Sequence, residues 1–371
     1  MAKKSEAPAL IISLLVTLGL IGAGAWLFLR QTDNGLGGLL SGGTSTEQNT
    51  GQNTGQNTGQ NGQGSTPGNS GNASDSLVSV GSFNDVPNVP SGVFSYGGST
   101  TWAPIRGEVD PLIQSAHSQF QLRYTDPVGQ PPGSSIGIRM LLDGQLAFSQ
   151  SSVPLTDENY QQAQQRGFTL AQVPVAIEGI AIAVNPELQI SGLTLDQLRS
   201  IYTGQVTNWS QVGGPNIPIT PISRSDVGGT VEFFMSSVLG DNPLGDNVQL
   251  AANTTQALRQ VALAPGGIYY GSAPEVIPQC TVKPIAIGRQ PNELVAPYQE
   301  PLIPPSQCPD QRNQINLDVF QSGAYPITRT LFVIVKQNGQ AEQQAGEAYA
   351  NLVRTGQAGE VLTELGFVPL Q

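Results

Sequence analysis

The chain has 371 residues, of which 27 are acidic, 16 are Lys or Arg, one is His and two are Cys, and its formal net charge is −11. That charge and a pI near 4.5 exclude a surface built to hold nucleic acid, which needs a basic face. One His and two Cys are too few for a zinc site of about four ligands, and charged residues at 12% fall below the roughly 25% of an ordinary soluble domain, so an uncharged stretch dilutes the average.

From Ala9 to Leu29 the sequence runs for 21 residues without a charge. At about 1.5 Å per residue, a helix of that length spans a hydrocarbon core of about 30 Å. Lys3 and Lys4 precede the run and Arg30 closes it. The pattern predicts a cytoplasmic tip and single transmembrane anchor over 1–30, with the rest exported. A cleaved secretory signal is the alternative, but its apolar run would be shorter, and here WLFLR continues past the small residues. Residues 31–88 are dominated by Gly, Gln, Asn, Ser and Thr, with three QNTG units from Gln48 to Gly59. Such a stretch buries too little apolar surface to offset its ordering entropy, so it is expected to be a disordered tether. At roughly 5–6 Å × √n its reach is about 40 Å. The first 30 residues carry +2, which leaves −13 on the remainder. An anion site in that remainder must therefore be local.

Residues 89–371 read as a globular unit. The spacing predicts a strand over 93–96 ending at Gly97-Gly98, then a helix from Pro104 to about residue 119. A strand over 121–124, a helix from Gly133 to Leu142 and a strand over 146–150 follow. Thr156 is expected to cap a polar helix over 156–166. VPVAIEGIAIAV, over 173–184, reads as one long strand interrupted by Glu178-Gly179. A helix over 193–202 follows, with Thr194 as its cap. A strand over 219–222 and a helix over 230–239 come next, and the alternation continues through 257–262, 268–270 and 282–287. TRTLFVIV, over 328–335, is a strand, and 341–365 is helical with a break at Thr355-Gly356. Alternating strands and helices predict an α/β fold with largely parallel sheets. His117 falls in the first helix and reads as a surface or partly buried position. Cys280 and Cys308, in an exported domain, are expected to form a disulfide.

Three segments share one physical design, in which a strand leads through small or hydroxyl residues into a helix start. They are Gly97-Gly98-Ser99-Thr100-Thr101-Trp102, Gly133-Ser134-Ser135-Ile136-Gly137 and Arg224-Ser225-Asp226-Val227-Gly228-Gly229-Thr230. Unpaired N–H groups and the helix dipole make each start a ready anion site. Arg224 adds a fixed charge in a fork that matches oxyanions, with Asp226 placed to hold it. Capping alone would explain any one segment; three together, one with an Arg, point to an oxyanion.

The string ISGLTLDQLRSIYTGQVTNWSQVGG over 190–214, followed by ITPISRSDVGGT, resembles the phosphate-binding protein family of ABC importers. GGSTTWAP, GSSIGI and SSVPLTDE (151–158) match the family's other blocks in order and spacing. The resemblance covers roughly 90–371. It implies a type II periplasmic-binding-protein-like fold of two α/β lobes joined by a hinge, the first from about 89–178 and 326–371, the second from about 179–325. The hinge falls at Glu178-Gly179. It also implies binding without chemistry or cofactor, closure over inorganic phosphate or a similar oxyanion, and delivery to ABC permease subunits in the periplasm or outside the cytoplasmic membrane. The ligand contacts it implies are Thr100, Thr101, Ser134, Ser152, Arg224, Gly228, Gly229 and Thr230, with Asp226 orienting the arginine.

Two positions depart from the family pattern. Ser152 stands where an aspartate accepts the phosphate proton, and Gly228 where a serine donates. A serine cannot repel a proton-free dianion, so weaker exclusion of sulfate is expected. An anchored phosphate sensor or scavenger is the alternative within the same fold. An esterase using Ser99 or Ser134 is disfavoured, because its base would have to be something other than a paired His, and the G-x-S-x-G match at Gly133–Gly137 centres on Ser135, not on either of these serines.

Overall fold

The computed structural model describes residues 81–225, 229–240 and 242–371. The expected anchor, the tether up to residue 80, and the candidates Asp226 and Gly228 lie outside the described residues. Among the described residues no helix is long and apolar enough to cross a membrane.

The first strands and helices are β1 (Gly92–Gly98), α1 (Ala103–Ala116), β2 (Phe120–Tyr124), α2 (Ser134–Leu142), β3 (Phe148–Ser151) and α3 (Asp157–Gln165). Then come β4 (Thr169–Val184), β5 (Gly192–Thr194), α4 (Leu195–Tyr202), β6 (Thr220–Arg224) and α5 (Gly229–Ser237). β7 (Gln249–Ala251), α6 (Thr254–Leu263), β8 (Gly267–Ser272), α7 (Ala273–Val276) and β9 (Lys283–Gly288) follow. The last are α8 (Leu317–Gln321), β10 (Thr328–Gln337), α9 (Ala341–Val353), α10 (Gly356–Glu364) and β11 (Val368–Pro369).

These elements form a two-lobed α/β fold. The strands follow the order β2-β1-β3-β10-β4-β8-β6-β7, with β9 joining β4 to β5 and β11 edging β4. β4 serves both lobes. Its first half pairs with β10, and its second half, Ile180 to Val184, pairs with β8 and β9. β10 returns beside it, from Thr328 opposite Gly179 to Gln337 opposite Thr169.

The expectation of largely parallel sheets is therefore corrected. β1 is parallel to β2 and β3, and β6 to β7 and β8. β4 and β10 are antiparallel to each other, β10 also to β3, and β4 to β8. A chain that leaves one lobe and comes back beside its own exit must run both ways. The helix expected from 193 also starts later. Gly192–Thr194 is a strand parallel to β9, and Thr194 caps α4 by accepting from Gln197 N at 3.2 Å. Nor does the folded unit wait for residue 89. Phe83 and Val86, inside the stretch assigned to the tether, are buried in the first core.

The core has three parts. Ile105, Val109 and Ile113 of α1 meet Val333, Val335 and Tyr349 on one face of the first sheet. Ile138 and Leu141 of α2 meet Ile334 on the other. Val333, Ile334 and Val335 thus divide between the two faces as strand periodicity requires. The third part lies within the second lobe, around Tyr202, Trp209, Phe234 and Tyr270. Cys280 and Cys308 form the expected disulfide across 28 residues.

Candidate functional site

Each expected segment reaches its place for a local reason. Ser99 accepts from Thr101 N at 3.3 Å and turns the end of β1 into a short 3-10 turn over Thr100–Trp102. Trp102 is buried beneath that turn and donates its indole N–H to Ser151 O at 3.1 Å. Ser134 opens α2 and is fully buried. Arg224 ends β6, and Gly229 and Thr230 open α5.

Thr100, Thr101, Arg224 and Thr230 line one cavity of about 210 Å³, with Ala103, Pro104, Ser272 and Glu275 completing its wall. Ser134, Ser152 and Gly229 gather beside it, and Ser152 is not among the lining residues. Ser152 Oγ lies 2.9 Å from Ser99 Oγ and 3.1 Å from Ser134 Oγ, and Ser134 Oγ accepts from Ser152 N at 3.0 Å. A β-carbon added at Gly229 would stand 2.3 Å from Ser152 Oγ and 3.1 Å from Ser134 Oγ, so only glycine lets the second lobe's helix start approach so near. Ser135 Oγ adds a bond of 3.1 Å to Glu232 of α5, so the lobes meet across the cleft.

The sequence reading missed one centrepiece. Arg329, on β10, is buried, and its Nε donates to Glu178 Oε2 at 2.8 Å. Its Nη2 donates to Thr101 Oγ1 at 2.7 Å and to Thr230 Oγ1 at 3.0 Å, hydroxyls that belong to opposite lobes. Its Nη1 is buried without a hydrogen-bond partner among the described residues. Glu178 also accepts from Ser272 Oγ. A signal was present, because Arg329 is the lone charge in TRTLFVIV as Glu178 is in VPVAIEGIAIAV. Opposite charges set singly in two apolar runs have to find each other or lose their charge.

Asp110 is a buried carboxylate behind the site. It accepts from Tyr96 Oη and, at 2.9 Å, from Tyr349 Oη. Burial pushes its carboxyl up to about 6, although the two hydroxyls and Arg106 pull the other way. Arg106 Nη1 in turn donates to Ser99 O at 3.1 Å and Gln150 Oε1 at 2.9 Å. His117 closes the far end of α1, 14 residues long, and its Nε2 lies 2.7 Å from Phe83 O. With Ala103 and Pro104 at the cavity, the helix rise puts that imidazole about 20 Å away. The arrangement is a cradle of donors around a small space, with two guanidiniums close by. It can hold an anion.

The model of the PBP superfamily domain matches residues 85–354. The Bacillus subtilis phosphate-binding protein PstS is 28% identical over 203 residues, which are 54% of this chain and 63% of that protein. The chain thus matches less than two thirds of the length of that relative. The Staphylococcus aureus phosphate-binding protein PstS is 23% identical over 275 residues, covering 73% of this chain and 76% of that one. Among solved structures, an ABC-type phosphate transport receptor from Vibrio cholerae superposes with a TM-score of 0.59 at 22% identity, over 75% of this chain and all of that one. The family match spans most of the chain, and its fold is the two-lobed one found here: the chain belongs to the PBP superfamily.

Proposed function

We propose that this chain captures inorganic phosphate outside the cytoplasmic membrane and hands it to an ABC permease. One observation carries the reading: the cavity of about 210 Å³ where Thr100, Thr101, Arg224 and Thr230 come together from different parts of the sequence. Helix-start amides and hydroxyls set in advance replace the water of a small anion without reorganising, and Arg224 supplies the charge. Thr101 and Thr230 come from opposite lobes, so the ligand is held by contacts that only the closed form makes. Such differential contact is what drives closure on binding. The relatives' names support phosphate over other tetrahedral anions. The uncharged run over 9–29 holds the protein at the membrane, and the tether lets the domain reach its permease.

Thermal unfolding with and without phosphate tests this. Binding to the native state alone raises the melting temperature by mass action. Phosphate is expected to stabilise the wild type and to leave Arg224→Ala unmoved. No shift for the wild type, by heat or by calorimetry, defeats the reading.

A further inference from the structure

We propose that Glu275 is a specificity-determining residue of the cavity: its carboxylate accepts a hydrogen bond from a protonated oxygen of the bound anion and repels an anion that carries no proton. The inference rests on the oxyanion reading above and names the feature that sets which oxyanion is kept.

Glu275 lines the same cavity as Arg224, Thr100, Thr101 and Thr230. A carboxylate is an odd neighbour for an anion site, because every other polar side chain on the wall can donate. Among the described residues its only side-chain bond is a long one, from Thr254 Oγ1 to Oε2 at 3.3 Å. Part of the residue faces solvent at the mouth of the cleft. Even so, desolvation by the cleft walls lifts its carboxyl above the usual range and Glu178 adds to the rise, while Arg224, the Thr254 bond and Arg329 oppose it. The group therefore lies in the combined field of both guanidiniums and feels what they bind.

Two anions placed there fare differently. Phosphate near neutral pH carries a proton on one oxygen, so it can donate to a carboxylate and turn repulsion into a charge-assisted bond. Sulfate carries none, so its oxygens would face the carboxylate unpaired. Selectivity of this kind comes from a repulsive element as much as from an attractive one. Ser152 cannot supply it, because a neutral hydroxyl does not repel a dianion, and its Oγ lies against Ser99 and Ser134. On this proposal sulfate is excluded by Glu275, whereas Ser152 alone leads to the opposite expectation.

The test is calorimetric titration of the full chain in mild detergent with inorganic phosphate and with sodium sulfate, for the wild type and Glu275→Gln. Gln keeps the size, and the position is exposed, so the variant is expected to melt at the wild-type temperature. Phosphate is expected to bind the wild type at least a hundredfold more tightly than sulfate. In Glu275→Gln that ratio is expected to fall at least tenfold, with phosphate weakened and sulfate strengthened. If Glu275 merely balances the charge of Arg224, both affinities rise by the same factor and the ratio stays, which overturns the proposal while leaving phosphate capture intact. A wild type that binds neither anion overturns both.

Discussion

Arg329 and Glu178 stand directly opposite each other across the antiparallel ladder of β4 and β10. Nη2 and Oε2 are 2.7 Å apart, with the two side chains 1% and 0% exposed. Because Nη2 also donates to Thr101 and Thr230, one guanidinium is tied to the inter-lobe strand and to a hydroxyl of each lobe at once. Removing either partner strands the other charge in the interior, which costs about 3–5 kcal/mol. Glu178→Gln and Arg329→Met are each expected to lose stability of that order in urea unfolding. The double variant Glu178→Leu with Arg329→Met is expected to lose much less than the sum, since a buried pair exchanged for apolar residues is often close to neutral. Additive losses would mean that the two act independently.

What the sequence makes legible is local. Caps, glycines and hydroxyls at Ser99, Ser134 and Thr194 announce helix starts by chemistry acting within four residues. That the starts at Ser134 and Gly229 abut is a tertiary fact, set by how the two lobes close, and only resemblance could anticipate it. Glu275 gives no signal at all, because an acid in APEVIP looks like any surface acid until β8 delivers it to the cavity. The strand at Gly192–Thr194 fails for a different reason: three residues are too few for a two-residue period to be read.

Gly229 sets how far the lobes can close. Alanine there suits the helix, with a gain of up to about 1 kcal/mol from propensity. Its β-carbon, however, would stand 2.3 Å from Ser152 Oγ and force the lobes apart. Gly229→Ala is expected to fold normally, to show a larger radius of gyration with phosphate present, and to bind phosphate at least tenfold more weakly. Ser152→Ala on that background removes the nearest atom and is expected to recover part of the closure. Small-angle scattering and calorimetry on the same samples read both effects.

The disulfide belongs to the second lobe's periphery and not to the cavity. Closing a loop of about 28 residues restrains the unfolded chain by roughly 3–4 kcal/mol on the entropy model. Replacing Cys280 and Cys308 by Ser is expected to lower unfolding stability by about that amount while leaving phosphate affinity within twofold, because neither residue lines the cavity. A large loss of affinity at full folding would connect the loop to the site.

Asp110 gives stability a pH dependence of defined sign. Burial raises its pKa from 3.8 to about 6, so between these values the folded state holds a proton that the unfolded chain has released. Stability attributable to this group is therefore complete below about pH 4, declines as pH rises toward 6, and is flat above that. By the usual conversion a shift of this size corresponds to about 3 kcal/mol. Asp110→Asn stays neutral at every pH and can still accept from Tyr96 or Tyr349 through its carbonyl oxygen. Its stability is expected to change less than that of the wild type from pH 4 to 6, so the two curves should converge or cross as pH rises. Denaturant midpoints at pH 4, 5, 6 and 7 make the comparison, and a constant gap between the two proteins would mean that Asp110 is ionised throughout. Asp110 is linked through Tyr349 and Gln150 to Arg106, which holds Ser99 O. Charging it loads the scaffold beneath the first helix start. Phosphate affinity is accordingly expected to vary less between pH 5 and 7 in Asp110→Asn than in the wild type.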